Sequence, residues 1–181
     1  MAEQVLEGLR APPAPAAPRV TLRELTGCTL TALHGPQGLL AGLPQRPGWA
    51  ALPGGTAIWT APGQWLWMGV PPPVPPAHAT PLNGARCLLE LDGPLATELL
   101  ATLLPIDLHR RAFPHGAAAA TQGAHVPLLV WRAANAFRLA CYRSYGLALA
   151  GALVAAGRGR ALAYAGATPW APEPAAPADA A

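Results

Sequence analysis

Lysine is absent from this chain of 181 residues, so every strong side-chain cation is an arginine. That absence excludes a lysine Schiff base and a lysine general base. Charge of both signs is scarce. Only 12% of residues are charged, against 52% that are hydrophobic, a surface too thin in charge for a comfortable free monomer. Serine occurs once, at Ser144, and outside any Gly-x-Ser-x-Gly elbow. The three cysteines, Cys28, Cys87 and Cys141, are scattered and form no CxxC pair, which argues against a zinc site or a redox couple. Their odd number and spread fit a reducing compartment. No basic segment followed by an apolar core opens the chain, so no secretory signal is visible. The longest uncharged apolar run, 146–157, falls short of the roughly 20 residues that span a bilayer. These features predict a cytoplasmic protein without a membrane anchor. Gly-x-Gly occurs once, at Gly157-Arg158-Gly159, after a helical stretch rather than between strand and helix, so the dinucleotide context fails.

What is present in excess is alanine and proline, the mark of a GC-rich genome. Charge is unevenly spread. Between Arg19 and Thr168, eleven arginines stand against five acids, Glu24, Glu90, Asp92, Glu98 and Asp107. The folded part is therefore more basic than the formal charge of +3, and a basic face suits an acidic protein surface or a polyanion. No basic stripe interleaves with aromatics, so no nucleic-acid partner is expected.

Residues 1–18 end in Ala-Pro-Pro-Ala-Pro-Ala-Ala-Pro and predict a disordered Pro/Ala arm, with room for a short helix over 2–9. Residues 169–181 predict a disordered tail of Pro, Ala and acid. Between them, residues 19–168 read as one α+β domain of two small lobes, about 19–70 and 85–168, joined by a Pro-rich linker over 71–84. In the first lobe Val20 to Leu33 reads as strand, and 39–52 is ambiguous. The clearest unit is a hairpin over 56–70, in which Ala57-Ile58-Trp59-Thr60 and Trp65-Leu66-Trp67-Met68-Gly69 flank Ala61-Pro62-Gly63-Gln64. Strand alternation puts Trp65 and Trp67 on one face and Leu66 and Met68 on the other. Two apolar faces leave one to be covered, by another subunit or otherwise.

In the second lobe Arg86 to Leu91 reads as strand. A helix then opens with Asp92 as its cap and Pro94 in its first turn, carries Leu95, Leu99, Leu100, Leu103 and Leu104 on one face, and stops at Pro105. Strands follow at 117–121, 126–132 and 136–143, the last two joined by a turn at 133–135. Pro127 restricts its strand to an edge or its own first residue. A second helix runs from Ser144 to Gly157, ends with Arg158 and Arg160 suitably placed at its C-terminus, and leaves 161–165 for a last strand. The order predicts a mostly antiparallel sheet with helices on one face.

Few residues offer chemistry. Ser144, opening an apolar helical run, reads as a helix cap. His109, His115 and His125 invite a metal, but no helical pairing or nearby cysteine supports one, and Arg110-Arg111 sits among them. Asp107 reads as a brace for backbone amides or for Arg110 or Arg111. The acids are too scattered to nominate a catalytic pair. No catalytic, cofactor-binding or metal residue is assigned. Trp65, Trp67 and Trp131 read as core or sheet packing, or as interface residues.

The ordered set Leu104-Pro105-Ile106-Asp107-Leu108, Phe113-Pro114-His115-Gly116, Thr121, His125, Arg132, Phe137-Arg138-Leu139 and Arg143-Ser144-Tyr145 resembles the γ subunit of heterotetrameric sarcosine oxidase. The hairpin with Trp59, Pro62 and Trp65 matches the family loosely. The resemblance is strong after Ala85 and weak before it. It implies the folate-binding-domain fold of glycine-cleavage T-proteins. It also implies a small non-catalytic subunit, in which Arg143 and Ser144 are structural or interface residues. The implied complex demethylates sarcosine oxidatively to glycine, with hydrogen peroxide and methylene-tetrahydrofolate as further products. FAD, FMN, NAD and zinc are implied on other subunits. The implied partners are the α, β and δ subunits, α in direct contact. The alternative is a freestanding folate-binding, aminomethyltransferase-like protein. It needs a carboxylate to hold the pterin, and Glu24 alone offers one in the first lobe.

Overall fold

The computed structural model describes residues 4–82, 84–134 and 136–172. Eleven strands and two helices follow one another among them: β1 (Val20–Thr26), β2 (Leu30–His34), β3 (Trp49–Leu52), β4 (Gly55–Ala61), β5 (Gln64–Gly69), β6 (Ala79–Pro81), β7 (Arg86–Asp92), α1 (Ala96–Ala101), β8 (Ala118–Gly123), β9 (Val126–Arg132), β10 (Ala136–Tyr142), α2 (Gly146–Gly157) and β11 (Leu162–Pro169). Short 3-10 turns precede β6 and α2. The strands form a six-stranded sheet, in the order β11-β1-β7-β10-β9-β8, and a five-stranded sheet, β3-β4-β5-β2-β6. Every pairing is antiparallel except that of β1 with β11.

Strand alternation builds three apolar layers. On the larger sheet, Val20, Leu22, Leu89, Leu91, Val130, Phe137 and Leu139 point to one face, where α1 adds Leu99 and Leu100 and α2 adds Leu149 and Leu153. Leu25, Leu88, Leu129, Trp131 and Ala140 point to the other face and meet Leu30, Ile58, Leu66 and Met68 of the smaller sheet. The outer face of the smaller sheet carries Leu33, Ala57, Trp65 and Trp67. This chain's own loops cover it, with Leu39, Leu40, Leu43 and Val74. The tryptophan face of the hairpin therefore needs no second polypeptide. The Trp65 indole donates to the Pro44 carbonyl at 2.7 Å and the Trp67 indole to that of Val70 at 2.6 Å.

Several expectations are corrected. The single strand read over Val20 to Leu33 is two strands in different sheets, broken at Gly27, whose φ of +75° suits a residue without Cβ. Because β1 joins the larger sheet, the sheets do not divide where the two expected lobes do. The linker over 71–84 supplies β6, which edges the smaller sheet against β2. The arm over 1–18 is not free where it is described. Leu6 is only 3% exposed, in the helix-side core, and residues 4–9 hold a single turn at 6–9 rather than a helix. Of the tail over 169–181, Trp170 packs beside the inter-sheet layer and its amide donates to the Thr26 carbonyl at 2.8 Å. Residues 173–181 and Asn135 lie outside the described residues.

Asp92 does not cap α1. It ends β7, its carboxylate lies 3.9 Å from Arg23, and Gly93 to Leu95 separate it from the first helical turn. Ser144 does not cap α2 either. It lies inside the 3-10 turn Arg143–Tyr145, and neither that turn nor the helix has a side-chain cap. Pro127 is the second residue of β9, and pairing with β10 begins only at Leu128. Its missing amide therefore faces no partner strand.

Candidate functional site

Two polar constructions stand out in an otherwise apolar molecule. The first is built on Arg132, at the end of β9. Its side chain is buried, lying over the Phe137 ring at 4.2 Å. Its Nε donates to the Phe113 carbonyl and its Nη2 to that of Leu108, both at 2.6 Å. A buried guanidinium needs such acceptors, because desolvation disfavours the charge. Desolvation, and then the nearby Arg110, pull the Arg132 pKa below its ordinary value. The clamp fixes the loop between α1 and β8. Leu108 and Phe113 on that loop enter the helix-side core. Its Gly116 carbonyl accepts from the Trp49 amide at 2.9 Å, tying the loop to the smaller sheet. The Trp49 indole in turn donates to the Arg132 carbonyl at 2.9 Å. Asp107 braces the same loop by accepting from the His109 amide at 2.8 Å.

The second construction is built on Glu24 in β1. Glu24 is 2% exposed, and its two carboxylate oxygens accept from the amides of Val5 at 2.6 Å and Leu6 at 3.1 Å. This carboxylate holds the N-terminal segment and is already occupied by protein donors. A cavity of about 270 Å³ lies beside it, bordered by Cys28, Gly84, Arg86, Cys87 and Arg143.

Cys87 and Cys141 face each other across β7 and β10. The Cys87 thiol is pushed up by its hydrogen bond to Cys141 and by burial, and the accepting Cys141 is lowered by the same bond. Burial pushes the Cys28 thiol up to about 12, against the lowering effects of Arg138 and the Gly69 backbone. Cys28 and Cys87 are thus held as thiols near neutral pH, in the unreactive state.

The remaining candidates are dispersed. Ser144 is exposed on the turn before α2. His115 lies edge-on to Trp49 at 5.0 Å, His109 is exposed on the loop and accepts from the Arg111 amide, and His125 sits in the β8–β9 turn. Among the described residues no group of three or more His, Cys, Asp or Glu is placed to hold a metal ion. Glu90 takes Arg138 at 3.0 Å and Arg23 at 3.5 Å, and Glu98 takes Arg160 at 3.2 Å. Sequence reasoning missed the roles of Arg132 and Glu24. Arg132 stands in the ordered set that carries the family resemblance and closes an apolar strand, but neither signal says what it holds.

No protein-family model matches the chain. Three curated proteins do. The γ subunit of sarcosine oxidase from an Arthrobacter species is 33% identical over 136 residues, which is 62% of this chain and 67% of the relative. The γ subunits from Corynebacterium strains U-96 and P-1 are each 32% identical, over 66% and 67% of their own length. A chain of the heterotetrameric sarcosine oxidase of Corynebacterium sp. U-96, solved with pyrrole 2-carboxylate, superposes with a TM-score of 0.71 and 26% identity, over 83% of this chain and 90% of that one. The aminomethyltransferase T of the Bartonella henselae glycine cleavage system shares the fold, with a TM-score of 0.57 at 17% identity. There the match covers 81% of this chain but 48% of the transferase.

Proposed function

Because the chain belongs to the sarcosine oxidase γ-subunit family, we propose that it is the small, non-catalytic subunit of a heterotetrameric sarcosine oxidase, and that it supports assembly of that complex. The observation that carries this reading is the double match, in sequence and in fold, to a subunit of one enzyme. The local chemistry supports it. The buried polar groups are spent on holding backbone: Arg132 on the loop before β8, Glu24 on the N-terminal segment. Neither presents a free reacting atom. The freestanding folate-binding alternative needs a carboxylate open to a pterin, and both oxygens of Glu24 are engaged. The chain also spans only half of the aminomethyltransferase whose fold it shares.

In this reading the complex demethylates sarcosine oxidatively to glycine and yields hydrogen peroxide and methylene-tetrahydrofolate. FAD, FMN, NAD and zinc belong to the other subunits. This chain has no His, Cys, Asp or Glu cluster for a metal among its described residues, and its Gly-x-Gly follows a helix. The α, β and δ subunits are its partners, α in direct contact, and the assembly is cytoplasmic. No helix among the described residues is long and apolar enough to cross a membrane. The test is co-expression with the other subunits of the same oxidase, one of them tagged. The chain should co-purify in the complex, and the purified chain alone should turn over neither sarcosine nor tetrahydrofolate. Turnover by the solitary chain would overturn the proposal.

A further inference from the structure

Of the four large apolar side chains exposed among the described residues, three fall within six consecutive positions: Tyr142, Tyr145 and Leu147. This run leaves β10 and enters α2 at one end of the larger sheet. Tyr142 also borders a groove of about 580 Å³ between the two sheets, whose walls include Leu66, Leu82, Leu129 and Arg86. Arg86 and Tyr142 are register partners in β7 and β10, and the guanidinium lies 3.9 Å over the phenol ring. That stacking satisfies the face of the guanidinium but not its Nε hydrogen. The Nε of Arg86 is buried and has no hydrogen-bond partner. A buried donor left unmatched is costly, so this guanidinium is not fully satisfied within the described chain.

Among the described residues no acid borders the groove. Glu24 is taken by Val5 and Leu6, Glu90 and Asp92 by Arg23 and Arg138, Glu98 by Arg160, and Asp107 by its own loop. Glu7 lies in a separate depression beside Ser144 and Leu147. An exposed tyrosine stacked with an arginine beside an apolar wall has the composition of a protein-binding hot spot, and the charge calls for a carboxylate.

We propose that this groove is a docking site for a neighbouring subunit of the oxidase, which lays an apolar segment along Leu82, Leu129 and Tyr142 and sets an aspartate or glutamate against Arg86. The proposal rests on the γ-subunit reading and names the face that reading leaves open. Truncating one side of a desolvated charge pair weakens binding by about tenfold or more.

The test uses the full chain co-expressed with the other subunits, one of them tagged. Arg86→Gln and Tyr142→Ser should each lower the retained chain about tenfold. Val70→Ser, an exposed site outside the groove lining, should leave retention unchanged. A photo-crosslinking phenylalanine analogue at position 142, with Arg86 intact, should capture another subunit, and the same analogue at position 70 should not. This arm decides the matter if Arg86→Gln does not fold. Wild-type retention of both variants, or capture from position 70 but not from 142, overturns the docking site and leaves the γ-subunit reading standing. Failure of the unaltered chain to be retained overturns both.

Discussion

Replacing Arg132 should unfasten the loop between α1 and β8. The Arg132 side chain makes two short bonds to the Leu108 and Phe113 carbonyls in a site only 4% exposed. Hydrogen bonds to a charged donor contribute about 1.5–3 kcal/mol each, and their removal leaves two carbonyls short of donors. Stacking over Phe137 adds about 1 kcal/mol. Arg132→Ala should therefore cost about 4–7 kcal/mol, a large part of the 5–15 kcal/mol typical of a domain. At about 3 °C per kcal/mol for a chain of this size, Tm should fall by about 12–21 °C. Arg132→Met fills most of the volume and restores no donor, so it should still lose about 3 kcal/mol. Arg132→Lys keeps the charge without the fork and should fall between the wild type and Arg132→Ala. Urea and thermal unfolding of the full chain measure the loss, and amide exchange over 105–116 locates it. If Arg132→Ala and Arg132→Met both unfold within about 1 kcal/mol of wild type, the clamp does not carry the loop.

Three further outcomes follow from the same structure. Glu24→Ala should free the N-terminal segment, costing about 2–4 kcal/mol for two charge-assisted bonds and exposing residues 4–9 to proteolysis; unchanged digestion would refute the anchor. Cys28 has a folded pKa of about 12 against an ordinary 9.0, so the unfolded chain gives up its proton first and stability should fall as pH rises from about 9 toward 12. Cys28→Ser should flatten that decline, and alkylation of Cys28 in the folded chain should be slow at pH 8. Gly69 has a φ of +130°, and a Cβ there would meet the Gly54 carbonyl oxygen at 2.4 Å, so Gly69→Ala should destabilise by about 2 kcal/mol or more in a denaturant titration.

Local pattern carried much of the fold. The Trp-rich hairpin, the apolar alternation of β7, the adjoining strands β9 and β10 and the apolar run of α2 are all legible, because each is decided by neighbours close in the chain. Val20 to Leu33 misled because both of its halves are apolar and Gly27 alone marks where the chain leaves one sheet for the other. The cover over Trp65 and Trp67 was hidden in a stretch where Leu39, Leu40 and Leu43 stand among glycines and prolines without period. Glu24 and Arg132 both stand out in the sequence, but what each holds is not legible there. Their partners are backbone amides and carbonyls 18 to 24 positions away, and backbone groups leave no mark in a sequence. Asp92 shows the opposite error, a sound capping rule applied three residues ahead of the helix's own cap position, Leu95.

The most direct measurement is the mass of the assembly formed when the subunits of one sarcosine oxidase are expressed with and without this 18.6 kDa chain. The account predicts that native mass spectrometry finds the chain inside the active complex, and that omitting it leaves the remaining subunits incompletely assembled. A fully assembled, active oxidase that forms without the chain, while the chain elutes alone, would contradict it.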